Sequence, residues 1–208
     1  MKKYRCWHFV GENRVLQYDA TKLTVAPGYI YSIGKNETPS LCACGMHGSV
    51  RATDALRYAP GPVACLVDVY GDVQVDDDKL VGRHRHVLAM VDATKTLDRF
   101  ACWCARNTPL VGGRTVWDLL SDERSRTAVE VKERWIEGKA TDKELAAARA
   151  AAWAAARDAA RDAARAAAWA AAWAAAWDAA RDAASKQLEI MVIEEAKRLG
   201  VWIDEEAA

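Results

Sequence analysis

The segment Leu41–Ser49 reads LCACGMHGS and gathers Cys42, Cys44 and His47 within six residues. Thiolate and imidazole are the preferred donors for zinc. These three residues are therefore a candidate metal site, with Cys6, His8, Cys102 or Cys104 to supply a fourth ligand. The spacing argues the other way, because structural zinc sites usually place two to four residues between paired cysteines and one stands here. In a strand, Cys42 and Cys44 would share one face about 6–7 Å apart. The alternative is a tight turn at Gly45 and Gly48 with the cysteines packed as small hydrophobes.

A second pattern is Arg83-His84-Arg85-His86. If this is a strand, its period of two puts Arg83 and Arg85 on one face and the histidines on the other. Two adjacent guanidinium groups suit a phosphate or carboxylate. A solvated edge strand protected by charge is the competing reading. Cys102 and Cys104 flank Trp103 on a predicted helix, two residues apart and so on different faces, which points to packing.

The elements that position these residues divide into two kinds. Residues 1–110 mix valine, tyrosine, glycine and proline and read as an α+β domain. Tyr4–Val10 and Val15–Tyr18 read as a hairpin around Gly11-Glu12-Asn13. Val63–Tyr70 is an apolar run interrupted only by Asp68, which predicts a central strand. Arg83–Val91 is a further strand, and Asp92 caps a helix that continues to Arg106. Thr53–Tyr58 is a short helix stopped by Pro60 and Gly61. Beyond a linker at Val111-Gly112-Gly113, residues 114–136 read as a helix. Residues 141–199 read as a long helix or a helical hairpin, with Thr141 and Glu144 as its capping box and Asp182–Ser185 as the place for a hinge.

Between Ala146 and Ala184 stand 26 alanines, five arginines, four tryptophans and four aspartates. The large residues recur every fourth position. An α-helix repeats every 3.6 residues, so each step advances about 40° and the stripe winds right-handedly. Trp169, Trp173 and Trp177 span about 80° and form one apolar patch. A patch of that kind predicts burial in an interface, and hence a homo-oligomer. Cover by other helices of the same chain is the alternative.

Composition bounds the function. Twenty-nine basic and 29 acidic side chains give zero formal charge, which argues against a nucleic-acid partner. Charged residues interrupt the alanine tract too often for a membrane span. No apolar leader follows Met1-Lys2-Lys3, which predicts a soluble, cytoplasmic protein.

Residues 44–92 carry a resemblance. Cys44, Gly45-Met46-His47, Asp54-Ala55-Leu56-Arg57-Tyr58 and Val67-Asp68-Val69-Tyr70-Gly71 follow one another as in a domain of unknown function common in bacteriophage proteins. Ala101-Cys102-Trp103-Cys104-Ala105, ahead of the alanine array, is similar to the helical region of phage immunity proteins. Together these cover most of the chain. The resemblance implies a phage accessory protein and no particular activity. A second likeness is to the ADP-ribosyltransferase fold, in which an early histidine and a glycine turn before a short helix grip NAD. His8 and Gly45-Met46-His47-Gly48-Ser49 stand in that order. No glutamate ends a later strand, which fits a degenerate nucleotide pocket better than an active transferase. The ligand-binding candidates are thus His8, His47, Ser49, Tyr58, Arg83 and Arg85. The expected function is non-enzymatic binding of a small nucleotide-like ligand or a host protein to counter host defence. An NAD-using enzyme and an assembly spacer are the alternatives. Zinc and a nucleotide are the cofactors in question.

Overall fold

The computed structural model describes residues 2–16, 22–110, 112–163 and 173–201, with side chains for all of these except 157–163 and 173–179. The architecture is α+β: strands dominate the N-terminal region and helices the C-terminal region. The chain forms two compact units, Met1–Leu97 with Ser185–Ala208, and Asp98–Ala184. The C-terminal segment thus belongs with the strands, although its composition groups it with the helices.

In the first unit, β1 (Lys3–Val10), β4 (Val63–Tyr70), β7 (His84–Asp92) and β2 (Ile30–Ser32) form an antiparallel sheet in the order β1-β4-β7-β2. Seven of the eight β4 residues are buried, as expected of a central strand whose apolar run allows burial on both faces. The expected hairpin of Tyr4–Val10 with Val15–Tyr18 is not seen among the described residues, and Gln17 and Tyr18 lie outside them. Instead β1 pairs with β4 from Lys3↔Tyr70 to Val10↔Val63, and Val15 makes a single bridge to Thr24. An eight-residue partner completes the antiparallel ladder of β1, which the short 15–18 segment could not. A second sheet, β3 (Met46–Gly48), β6 (Leu80–Gly82) and β5 (Gln74–Val75), has the order β3-β6-β5. Leu80, with Met46 and Val73, packs into a core formed by Cys6, Val67, Val69 and Val87 of the first sheet. That core lies between two layers.

Helix α1 (Ala52–Arg57) begins without a side-chain cap from Arg51. Glu189 supplies one: its Oε1 accepts from the Ala52 N–H at 3.3 Å and from the Ser185 hydroxyl at 3.0 Å. Glu189→Ala removes the single acceptor of both bonds. It is expected to lower stability by about 1–2 kcal/mol in urea denaturation, with Glu189→Gln losing clearly less. Equal losses would show that the acceptor is unimportant.

Helix α2 (Thr94–Asn107) is capped by Asp92, whose Oδ1 accepts from the Thr94 N–H at 2.9 Å and hydroxyl at 2.6 Å. The helix expected over 114–136 is two pieces, α3 (Val116–Leu119) and α4 (Glu123–Ile136). The interruption has a local cause, since Asp122 accepts from the Arg124 N–H and starts a new helix. In the second unit, Val131 of α4 packs with Leu145 and Ala148 of α5 (Asp142–Ala163). The Arg106 guanidinium forks the Glu133 carboxylate and lies 4.1 Å from the Trp117 ring centroid.

The capping box of α5 is as expected: the Thr141 N–H donates to Glu144 at 2.7 Å and the Glu144 N–H to Thr141 Oγ1 at 3.2 Å. Helix α6 (Trp173–Arg198) runs straight through 182–185, so the expected hinge is absent there. Alanine-rich sequence has no local reason to break at a single serine. The helix ends at Gly200 (φ 67°), with the Val201 N–H donating to the Ala196 carbonyl and Gly200 to Lys197. This is a Schellman closure, for which glycine is the natural residue. Trp169 and the side chains of Trp173 and Trp177, the expected interface, lie outside the described residues. No helix among the described residues is long and apolar enough to cross a membrane.

Candidate functional site

Three expected residues come together in the first unit. Arg85 lies opposite Val69 of β4 and Tyr31 of β2, and His8 lies opposite Cys65 on β1. By the alternation of the ladder, His8, Cys65, Val69 and Arg85 share the face turned to the second sheet. His47 on β3 comes from that second layer, and its carbonyl accepts from Arg85 Nη1 at 3.0 Å.

Arg85 is only 2% exposed. Apart from the bond to His47 it is bare: Nε and Nη2 are buried and have no hydrogen-bond partner among the described residues. Burial pulls its pKa down to about 10, and the groups that act in the opposite direction are Cys65 and Tyr31, neither of them a carboxylate. Tyr31 is committed elsewhere, donating to the Thr24 carbonyl and accepting from the Ala26 N–H.

The two histidines respond to the same field. His8 is held well below its ordinary value, by burial first and then by the charges of Arg85 and His47. His47 is also lowered, mainly by burial, with Arg85 and Lys79 adding to the effect and the Gly45 carbonyl opposing it. Neutral His47 is locked in place. Its Nε2 accepts from the Cys42 N–H at 3.3 Å, which leaves Nδ1 to donate to the Gly45 carbonyl at 3.1 Å. His8 and His47 are partly exposed, so the cluster reaches solvent at its edge.

A pH dependence follows. A histidine whose folded pKa lies below its unfolded value of about 6.5 binds fewer protons when folded. Its contribution to stability is complete above pH 6.5 and is lost as the pH falls toward the depressed folded value. Thermal melts without added anions are expected to weaken between pH 6.5 and 5, above the range where most carboxylates titrate. The His8→Phe protein should show a shallower slope, and an unchanged slope would remove His8 from the account.

The other candidates sit apart from this cluster. Arg83 precedes β7 and is saturated. Its Nη1 and Nη2 donate to the carbonyls of Gly34 and Glu37 at 3.0 and 2.7 Å, and its Nε pairs with Asp72 at 3.3 Å. The expected pair of free guanidinium groups is therefore not present, because backbone carbonyls of the 34–37 loop have claimed one of them. Ser49 is buried, and its backbone exchanges two hydrogen bonds with Trp7. Tyr58 belongs to a neighbouring surface group. Its hydroxyl donates to Asp78 at 2.6 Å, and Lys79 lies 4.9 Å from its ring centroid. Lys79 Nζ also donates to the Tyr58 hydroxyl at 3.4 Å, and the neighbouring Cys42 thiol and this hydroxyl raise its pKa. Lys79 was not among the sequence candidates, and the turn Asp76-Asp77-Asp78-Lys79 carries no signal that would select it.

Cys42 and Cys44 do not combine with His47 into a metal centre. Both ring nitrogens of His47 are engaged by backbone groups. No group of three or more His, Cys, Asp or Glu side chains is placed to hold a metal ion among the described residues. The buried thiols of Cys6 and Cys65 are pushed up to about 12, chiefly by burial, which makes them poor nucleophiles at neutral pH. A separate cleft of about 720 Å³ is lined by Gly11, Asn13, Leu16, Lys22 and Pro60–Pro62, and none of the expected ligand residues lines it.

No protein-family model, curated protein or solved structure matches this chain.

Proposed function

We propose that this chain is a non-enzymatic binding protein that retains a small, anionic, nucleotide-like ligand in its first unit. One observation carries the reading: the Arg85 guanidinium is buried, bonds only the His47 carbonyl, and has no carboxylate partner among the described residues, and its charge bears on both His8 and His47. Burying a cation without a counter-charge is costly. A site that keeps this arrangement gains from an anion that arrives with a ligand. The phage resemblance of residues 44–92 supports a setting in the cytoplasm of an infected cell. There, sequestering a nucleotide-like signal would counter a host defence, with the helical region as the route to a homo-oligomer.

The transferase alternative needs an acid to stabilise or activate the reacting group. Neither histidine nor Arg85 has one acting on it, which favours retention over turnover. Native mass spectrometry of gently purified protein tests the reading, compared with its denatured mass of 22.8 kDa. The expected result is excess mass on each subunit, or uptake of one ligand from a panel of nucleotides and dinucleotides, with no turnover. A bare protein that takes up none of the panel would overturn the reading. So would consumption of NAD.

A further inference from the structure

We infer that the ligand is held by the Nε and Nη2 edge of Arg85, and that the group seated there is a phosphate-class oxyanion. This rests on the binding function proposed above and assigns the contact within it. The same chain shows what such an edge does when its partner is present. Arg106 uses Nε and Nη2 to grip the two oxygens of Glu133, both at 2.7 Å. Arg124 grips Asp122 in the same way at 3.0 and 2.7 Å, and Arg198 grips Glu195 at 2.9 and 2.7 Å. In each case two parallel N–H groups meet two oxygens of one anion.

Arg85 presents that same pair of nitrogens with neither one partnered, and it does so from a buried position. Its third nitrogen is anchored on the His47 carbonyl, which holds the guanidinium plane by its far side. The ladder positions of Val69 and Tyr31 beside Arg85 leave no acidic side chain as its cross-strand neighbour. The missing partner is therefore not supplied by these strands.

The nucleotide-like ligand proposed above carries phosphoryl oxygens, and two oxygens on one phosphorus can fill both N–H groups of this edge. His8 stands on the same sheet face, and after burial it is the charge of Arg85 that lowers its pKa most. A lysine could supply charge here but not the planar fork.

The test uses the full chain in an oxyanion-free buffer, titrated by calorimetry with inorganic phosphate, and in parallel with acetate and chloride. Wild type is expected to bind phosphate saturably and more tightly than acetate, with no response to chloride. Arg85→Lys is expected to lose at least about tenfold in phosphate affinity while remaining folded. Arg85→Met is expected to lose binding altogether and, without anion, to melt no lower than wild type. Equal phosphate binding by wild type and Arg85→Lys would overturn the assignment, since charge alone would then suffice. Tighter binding of acetate, or no saturable response to phosphate, would overturn it too. If Arg85→Lys still carries the excess mass seen in native spectra, the contact is misassigned while the binding function stands. If wild type carries none and takes up no nucleotide, the function itself fails.

Discussion

Gly45→Ala is expected to destabilise the protein by about 4 kcal/mol and to abolish ligand retention along with it. Two costs add at this position. Gly45 has φ 128°, a conformation that side-chain-bearing residues rarely adopt. An added Cβ would also overlap Val81 Cγ2, and would stand 3.2 Å from the Gly82 carbonyl oxygen. Val81 is fully buried in β6 and has nowhere to retreat. The strain would be applied two residues before His47, whose Nδ1 bonds the Gly45 carbonyl and whose own carbonyl anchors Arg85. Gly28 is the control. It has φ 84° and nothing within 4 Å of an added Cβ. Gly28→Ala should therefore show the backbone cost alone, about 1 kcal/mol. Urea midpoints read both. Similar losses at the two sites would mean that the 40–48 turn yields easily, and that its hold on His47 is weak.

Leu188→Ala is expected to cost about 3 kcal/mol, because it empties a fully enclosed site. Ser185, Leu188, Val192 and Ala196 are all buried and recur at helical spacing along α6, so one face of that helix is packed over three turns. This segment belongs to the same compact unit as the strands. Amide exchange is therefore expected to accelerate in α1 and β1 as well as in α6. Ile190→Ala, at a site 49% exposed, should change stability by no more than about 0.5 kcal/mol. Faster exchange confined to 98–184 would show that the C-terminal helix stabilises the other unit instead.

What the sequence determined by itself was whatever a few adjacent residues can decide. The Thr141–Glu144 capping box, the Asp92 cap of α2 and the end of α6 at Gly200 depend on groups within one helical turn, and each formed as its residues predict. The central position of β4 was legible because a run of eight residues with one charge, rich in valine, fits a strand buried on both faces. The alanine-rich segments up to Ala163 and from Trp173 were legible as helix because propensity alone suffices there.

The remaining features rest on interactions that join residues far apart in the chain. The choice of β4 over residues 15–18 as the partner of β1 depends on a ladder between segments about 60 residues apart. The cap of α1 comes from Glu189, 137 residues away. The candidate site depends on the same kind of contact. Arg83 and Arg85 are two residues apart and chemically identical, and sequence pattern treats them alike. The 34–37 loop satisfies one of them, while the fold carries the other into the space between two sheets with half its fork empty of any protein partner. Burial and partnership belong to a position in three dimensions. For that reason the guanidinium left without partners at Nε and Nη2 could be recognised only once the sheets were in place.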